Sequence, residues 1–266
     1  MNRDLEALVH NRFDILNIGV DPVDEEQALE IVNRFLRLSD RPHSIFAVNP
    51  EKAFSVPKDP LLHQTFQTAD LLIPDGIGIV LAVRLLYGIR LSRVPGIELM
   101  EKICALAAKE GYRIFIYGAN ERVNKAAVKI LEDRYPGIKI VGRMNGYLRE
   151  EEMAGLVSSI NESGAEILFL ALGSPKQEKW FATYKHFLTN VKVCQGVGGT
   201  LDTIAGEVKR APRIWQRCAA EWLYRLISDP KRIKRQKVLP PFVAMVLLIK
   251  LKSFLKAREN KQCKCP

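Results

Sequence analysis

Ile167-Leu-Phe-Leu-Ala171 runs directly into Leu172-Gly173-Ser174-Pro175-Lys176-Gln177-Glu178. Consecutive apolar residues with no polar alternation fit a strand covered on both faces, and the glycine and proline behind them stop it abruptly. The same arrangement recurs along the chain. Phe13–Ile18, Ser44–Val48, Leu71–Ile73, Arg113–Tyr117, Lys139–Val141 and Val191–Gln195 are further strand candidates. Between them lie helical patterns. Asp24–Leu38 carries Ala28, Ile31, Val32 and Phe35 on one face, and Ile77–Tyr87, Ile97–Lys109, Glu121–Asp133 and Glu150–Ser163 are also expected to be helical. Alternating strand and helix with short loops predicts an α/β fold: an open, mostly parallel sheet flanked by helices.

At about Glu207 the character changes. The chain has 266 residues and a formal net charge of +10, with 47% hydrophobic and 26% charged residues, which excludes disorder and a disulfide mini-scaffold. Residues 207–266 hold 16 Lys and Arg against 4 Asp and Glu, so all of the excess basicity sits there. We therefore divide the chain into an α/β core, 1–206, and a basic helical appendage, 207–266. The appendage reads as Ile214–Ser228, a basic helix Lys231–Lys237 opened by Asp229-Pro230 and ended by Pro240-Pro241, and a third apolar-basic segment, Phe242–Arg258. Its basicity alone suits nucleic acid, an anionic membrane surface or a phosphorylated ligand. The longest apolar run, Val238–Ile249, is shorter than the ~20 residues that span a bilayer. Met1–Leu16 has no apolar secretory core, so a cytoplasmic protein attached peripherally to membrane is expected. Cys104, Cys194 and Cys218 read as core residues, and the terminal Cys263 and Cys265 have no partner pair, so no metal site is expected.

In open α/β sheets ligands bind at the carboxyl ends of the strands. The segments after each strand here are rich in glycine and polar residues: Asn49-Pro50-Glu51-Lys52, Pro74-Asp75-Gly76-Ile77-Gly78, Gly173–Glu178, and Gly196-Val197-Gly198-Gly199-Thr200-Leu201-Asp202. Asp75 can be a turn or N-cap residue, or a general base over a substrate hydroxyl. Gly196–Gly199 can be a tight turn, or a backbone cradle for phosphate with Asp202 on ribose hydroxyls. Lys176, Gln177 and Glu178 supply more polar groups than a minimal turn needs. No DxD pair suggests a divalent-metal clamp, which leaves Arg93, Arg225, Arg232 and Arg235 as candidates to meet leaving-group charge, or as solvated cations.

These motifs, with Arg93-Val94-Pro95-Gly96, Tyr135-Pro136, Gly146-Tyr147, Arg210-Ala211-Pro212, Glu221–Leu226 and Asp229-Pro230-Lys231-Arg232, occur in an order that resembles the WecG/TagA/CpsF glycosyltransferases (glycosyltransferase family 26) over roughly Phe13 to Arg235. Within that family the pattern is most like the TagA/TarA-type N-acetylmannosaminyltransferases. The resemblance implies a Rossmann-like core and a metal-independent, inverting transfer of N-acetylmannosamine from UDP-ManNAc to N-acetylglucosamine on undecaprenyl diphosphate, as in making a teichoic acid linkage unit or a related surface polysaccharide. It implies Asp75 as the base, Asn49 and Gln177 as sugar-positioning residues, and Arg93 as an aid to binding or leaving-group stabilisation. Gly173, Lys176, Gln177, Glu178, Gly198, Gly199 and Asp202 would form the UDP site, and Arg225, Arg232 and Arg235 would face the lipid diphosphate at the inner face of the cell membrane. Ala47 stands where family members often carry threonine, which removes a hydroxyl contact and leaves the donor sugar open.

Three other readings follow from the same residues. Transfer of N-acetylmannosaminuronic acid or a hexose into another lipid-linked polysaccharide needs only different pocket contacts. A nucleic-acid-binding protein would use the basic tail, but its cations alternate with aliphatics instead of exposed aromatic platforms, so no nucleic-acid partner is expected. A dinucleotide oxidoreductase is disfavoured because no GxGxxG occurs. No cofactor is expected beyond the UDP-sugar substrate, and a homo-oligomer is compatible with the sequence.

Overall fold

A computed structural model of the chain describes residues 11–208, 212, 215, 223–224 and 237–262, with side chains as far as 256. Six parallel strands form one sheet: β3 (His43–Val48), β4 (Leu71–Pro74), β5 (Arg113–Gly118), β6 (Lys139–Met144), β7 (Ile167–Ala171) and β8 (Val193–Gly196). Their spatial order is β4-β3-β8-β7-β5-β6, with every neighbouring pair parallel. The last strand in sequence is thus inserted at the centre, between β3 and β7. The expected α/β class, an open parallel sheet with helices on both sides and a Rossmann-like layout, is what the chain adopts.

Uninterrupted apolar strands send alternate side chains into two separate cores. Phe46, Val48, Leu168, Leu170 and Cys194 face one of them, beneath α3 (Pro60–Gln67), α4 (Ile77–Tyr87), α7 (Met153–Glu162) and α8 (Lys176–Tyr184). Ile45, Ile73, Ile114, Ile167, Phe169 and Val193 face the other, beneath α1 (Glu25–Leu38), α5 (Gly96–Glu110), α6 (Glu121–Arg134) and α9 (Thr200–Ile204). A short helix α2 (Lys52–Ser55) follows β3. Helix α1 opens on a capping box, in which Asp24 accepts from the Gln27 N–H and the Gln27 side chain accepts from the Asp24 N–H.

Two sequence expectations change. Phe13–Ile18 is not a strand of the main sheet. It folds back as a hairpin of β1 (Phe13–Asp14) and β2 (Gly19–Val20), because Leu16 and Asn17 both take positive φ and Ile15 and Ile18 exchange backbone hydrogen bonds across the turn. The expected helix Phe242–Arg258 begins earlier, as α10 (Leu239–Gln262), with Pro240 and Pro241 in its first turn, where a missing N–H leaves no bond unmade. Most of Ile214–Ser228 and Lys231–Lys237 lies outside the described residues. Phe242 and Val246 of α10 are buried in the first core against α4, so packing crosses the compositional boundary at 206/207. Away from those two residues, Val243, Leu247, Leu251 and Phe254 recur at helical spacing and are exposed, as are Leu248 and Leu255. Among the described residues, no helix is long and apolar enough to cross a membrane.

Candidate active site

Four strand-end segments meet at the carboxyl edge of the sheet. β3 and β4 are neighbours, so Asn49 and Asp75, each one residue past its strand, emerge side by side. The N–H groups of Asp75 and Gly76 both donate to the Val48 carbonyl, at 3.2 and 3.3 Å. Gly76 then occupies the N-cap position of α4, so Asp75 stands one residue outside the helix. The turn is tight enough to need glycine. A Cβ on Gly78 would lie 2.8 Å from Pro50 Cγ, and one on Gly76 would lie 3.2 Å from Asn49 Cβ. The Asp-Gly-Ile-Gly sequence thus lets the first turn of α4 press against the Asn49-Pro50 turn.

Arg93 is delivered by the segment between α4 and α5. Its Nε donates to the Asp75 carbonyl at 2.7 Å, and its Nη2 lies 3.9 Å from Asp75 Oδ1. The Val94 N–H donates to the Pro74 carbonyl at 2.9 Å, which pins this segment to the end of β4. Both side chains remain partly open to solvent, Asp75 at 33% and Arg93 at 23%. A carboxylate beside a guanidinium at a half-open strand end can still reach a ligand.

Behind these lies a denser network. The Lys52 N–H donates to Asn49 Oδ1 at 3.3 Å, while the buried Lys52 ammonium donates to Glu178 Oε1 and Ser174 Oγ. Burial pushes the Lys52 ammonium below its usual pKa, against the opposing pull of Glu178. Gln177 is 5% exposed, and its Oε1 accepts from the Gly198 N–H at 2.9 Å. A Cβ on Gly196 would come within 2.5 Å of Gln177 Nε2, so glycine there makes room for the amide. Gly173 and Gly198 take positive φ, at 73° and 55°.

The structure places the expected site residues in two groups. Asn49, Asp75 and Arg93 line the edge above β3 and β4. Gly173, Lys176, Gln177, Glu178, Gly198, Gly199 and Asp202 lie on the segments after β7 and β8, with Lys176 and Gly199 exposed, Gly198 and Asp202 half-buried, and Gln177 and Glu178 turned inward. Arg225, Arg232 and Arg235 lie outside the described residues. Sequence reasoning gave no role to Lys52, Ser174 or Gln195. Gln195 is buried in β8 and donates from Nε2 to the Gly96 carbonyl at 2.9 Å, joining the Arg93–Gly96 segment to the sheet centre. A glutamine closing an apolar strand was the available signal. Among the described residues, no three His, Cys, Asp or Glu side chains cluster as metal ligands would.

A cavity of about 590 Å³ opens at the opposite end of the sheet, lined in part by Arg41, Ser44, Asp70, Lys185 and His186. Burial favours the neutral form of Asp70, but hydrogen bonds from His43, Arg41 and the Ser44 N–H outweigh it and hold the pKa at about 2. None of the motif residues faces this cavity.

An open parallel sheet with convergent polar segments at its carboxyl edge is the layout in which α/β enzymes place a strand-end active site. The description "Glycosyl transferase WecG/TagA/CpsF family" matches residues 13–256, and the chain belongs to this family of glycosyltransferases. A Bacillus subtilis (strain 168) protein, N-acetylglucosaminyldiphosphoundecaprenol N-acetyl-beta-D-mannosaminyltransferase, is 37% identical to it over 203 residues, covering 76% of this chain and 78% of the relative.

Proposed function

We propose that this enzyme transfers N-acetylmannosamine from UDP-ManNAc to N-acetylglucosamine carried on undecaprenyl diphosphate. The observation that carries the reading is the meeting of Asp75, Arg93 and Asn49 at the ends of two adjacent strands, β4 at the sheet edge and β3 beside it, in a member of a glycosyltransferase family whose B. subtilis relative bears that activity in its name. Asp75 takes the proton from the acceptor hydroxyl as its oxygen bonds to the anomeric carbon of the donor. The bond from that carbon to the UDP oxygen breaks on the opposite face, UDP leaves with the electron pair, and the configuration inverts. Arg93 anchors Asp75 through its backbone carbonyl and places positive charge at the edge where the diphosphate develops charge. Asn49 meets the sugar, and the Gly198-Gly199 turn with Asp202, Gly173 and Lys176 receives UDP. Gln177 and Glu178 shape that turn from behind.

No resident metal has a part in this scheme. Arg225, Arg232 and Arg235 supply charge to the lipid diphosphate. The outward apolar stripe of α10, flanked by Lys250, Lys252 and Lys256, rests on the anionic inner face of the membrane that holds the acceptor. Ala47 sits half-buried at the end of β3, next to Asn49, and its missing hydroxyl favours testing UDP-ManNAcA and UDP-hexoses beside UDP-ManNAc.

The decisive experiment is Asp75→Asn in the full chain, assayed with UDP-ManNAc and a lipid-diphosphate-linked GlcNAc. Turnover should fall by about 10²–10⁴ while UDP affinity is kept. Retention of more than a tenth of the wild-type rate would remove Asp75 from the role of base.

A further inference from the structure

Lys52 and Glu178 form an ion pair behind the site, at 4% and 1% exposure. Taking two charges out of water is costly, and an apolar pair of similar volume fills such a place at least as stably. Stability alone therefore gives no reason for a charged pair here. What the pair touches does. The Lys52 backbone N–H is accepted by Asn49 Oδ1, and its ammonium reaches both Ser174 Oγ and Glu178 Oε1. Gln177 Nε2 donates to the same Glu178 oxygen at 3.4 Å, while Gln177 Oε1 takes the Gly198 N–H. One continuous run of polar contacts thus joins the segments that follow β3, β7 and β8, three strands adjacent at the sheet centre. Among the described residues, Glu178 Oε2 is buried without a hydrogen-bond partner, so within them the carboxylate is located through its other oxygen. The Lys52 ammonium also lies 4.9 Å over the Phe66 ring, which fixes it from the side of α3.

We propose that Lys52 and Glu178 are positioning residues for glycosyl transfer: their pairing sets Asn49, on one segment, at a fixed distance from Gln177 and the Gly198 turn, on two others. This rests on the proposed transferase reading. Neither residue touches substrate. The acceptor side of the site, near Asn49 and Asp75, is held in register with the nucleotide side at Gly198 by a link that a change in either charge severs. A small misplacement of this kind lowers turnover far more than it lowers binding.

The test uses the full chain with Lys52→Met, Glu178→Gln, the double variant Lys52→Met/Glu178→Leu, and Lys52→Arg. The singles should lower Tm, because each leaves a buried charge or an unmatched polar group. The double should recover Tm, since no charge is left uncompensated, yet keep kcat down by about 10- to 100-fold with KM for UDP-ManNAc changed less than ~3-fold. Lys52→Arg, which keeps the charge, should restore part of kcat. Amide hydrogen exchange should rise together in residues 47–55, 173–180 and 195–201 of the double variant and stay unchanged elsewhere. A double variant with wild-type kcat, or with unaltered exchange in those three segments, overturns the proposal. If the wild-type enzyme turns over no UDP-sugar, the transferase reading falls instead, and the exchange pattern still decides whether the pair couples the three segments.

Discussion

Phe242 is 2% exposed, although from Val243 to Leu255 the other large apolar residues of its helix, Val246 excepted, are in solvent. Its ring lies against the first turn of α4, where a Cβ on Gly78 would stand 3.7 Å from it, and it belongs to the same core as Ile79 and Val83. Phe242→Ala removes the main apolar anchor of α10 and leaves a cavity that a helix pinned by Val246 cannot fill by collapse. Such truncations cost about 3–5 kcal/mol. Because among the described residues α10 packs chiefly on α4, the loss falls on local opening of this helix. At a factor of ten per ~1.4 kcal/mol, amide exchange in residues 239–256 should accelerate by at least about 10²-fold. Leu251→Ala, on the exposed stripe, should change opening by no more than about 0.5 kcal/mol. Binding to vesicles of anionic lipid should show the reverse order. Leu251→Ser with Leu255→Ser should weaken it at least about tenfold, since each leucine brings ~1.5–3 kcal/mol when it leaves water, whereas exchange stays near wild type. Equal acceleration by Leu251→Ala and Phe242→Ala would refute the assignment of inner and outer faces.

Two further outcomes follow from the rest of the molecule. Asp70 has its pKa depressed from 3.8 to about 2, so it stabilises the fold above its unfolded pKa and loses that contribution as the pH falls toward 2. Asp70→Asn should cost about 2 kcal/mol in denaturant unfolding at pH 7, and the gap from wild type should narrow to about half by pH 3; a gap that widened in acid would contradict the sign. Gly196→Ala places a methyl 2.5 Å from Gln177 Nε2 and should break the Gly198 contact, destabilising the protein by about 1–3 kcal/mol. A melting temperature unchanged within 1 °C would show that Gln177 moves aside freely.

The strands that decided the fold were legible because burial on both faces leaves an unbroken apolar run, as in Ile167–Ala171. The hairpin at Phe13–Val20 was not, because its turn uses Leu16 and Asn17 at positive φ without a glycine to mark it, while Ile15 and Ile18 read as strand. Helix α3 had its signal, an Asp59 cap followed by Pro60 at the first helical position, but its eight residues are too few for a clear apolar period. The extent of α10 was hidden by a different conflict. Pro240-Pro241 reads as a stop for whatever precedes it and equally as a start for whatever follows, and only the packing of Phe242 and Val246 on α4 settles which helix owns the pair.

The site divides along the same physical line. That Asp75, Asn49, Gln177 and the glycine turns follow strands was legible, and strand ends are where an open sheet gathers ligands. Which of them are neighbours was not legible, since it depends on β8 entering between β3 and β7, a pairing that no local pattern encodes. Lys52 and Glu178 show the consequence most sharply. A lysine and a glutamate just past strand ends read as groups open to solvent or, for Glu178, to a nucleotide, and on their own segments they would be exposed. They become buried only because the sheet order brings together residues 126 positions apart, each supplying the charge that lets the other stay. A strand order of β4-β3-β7 with β8 at an edge would leave the individual loops unchanged but separate Gln177 from its present place between Glu178 and Gly198. The proposed register of the three segments thus rests on topology and on one ion pair, and the double variant that replaces both charges is the change that separates the two.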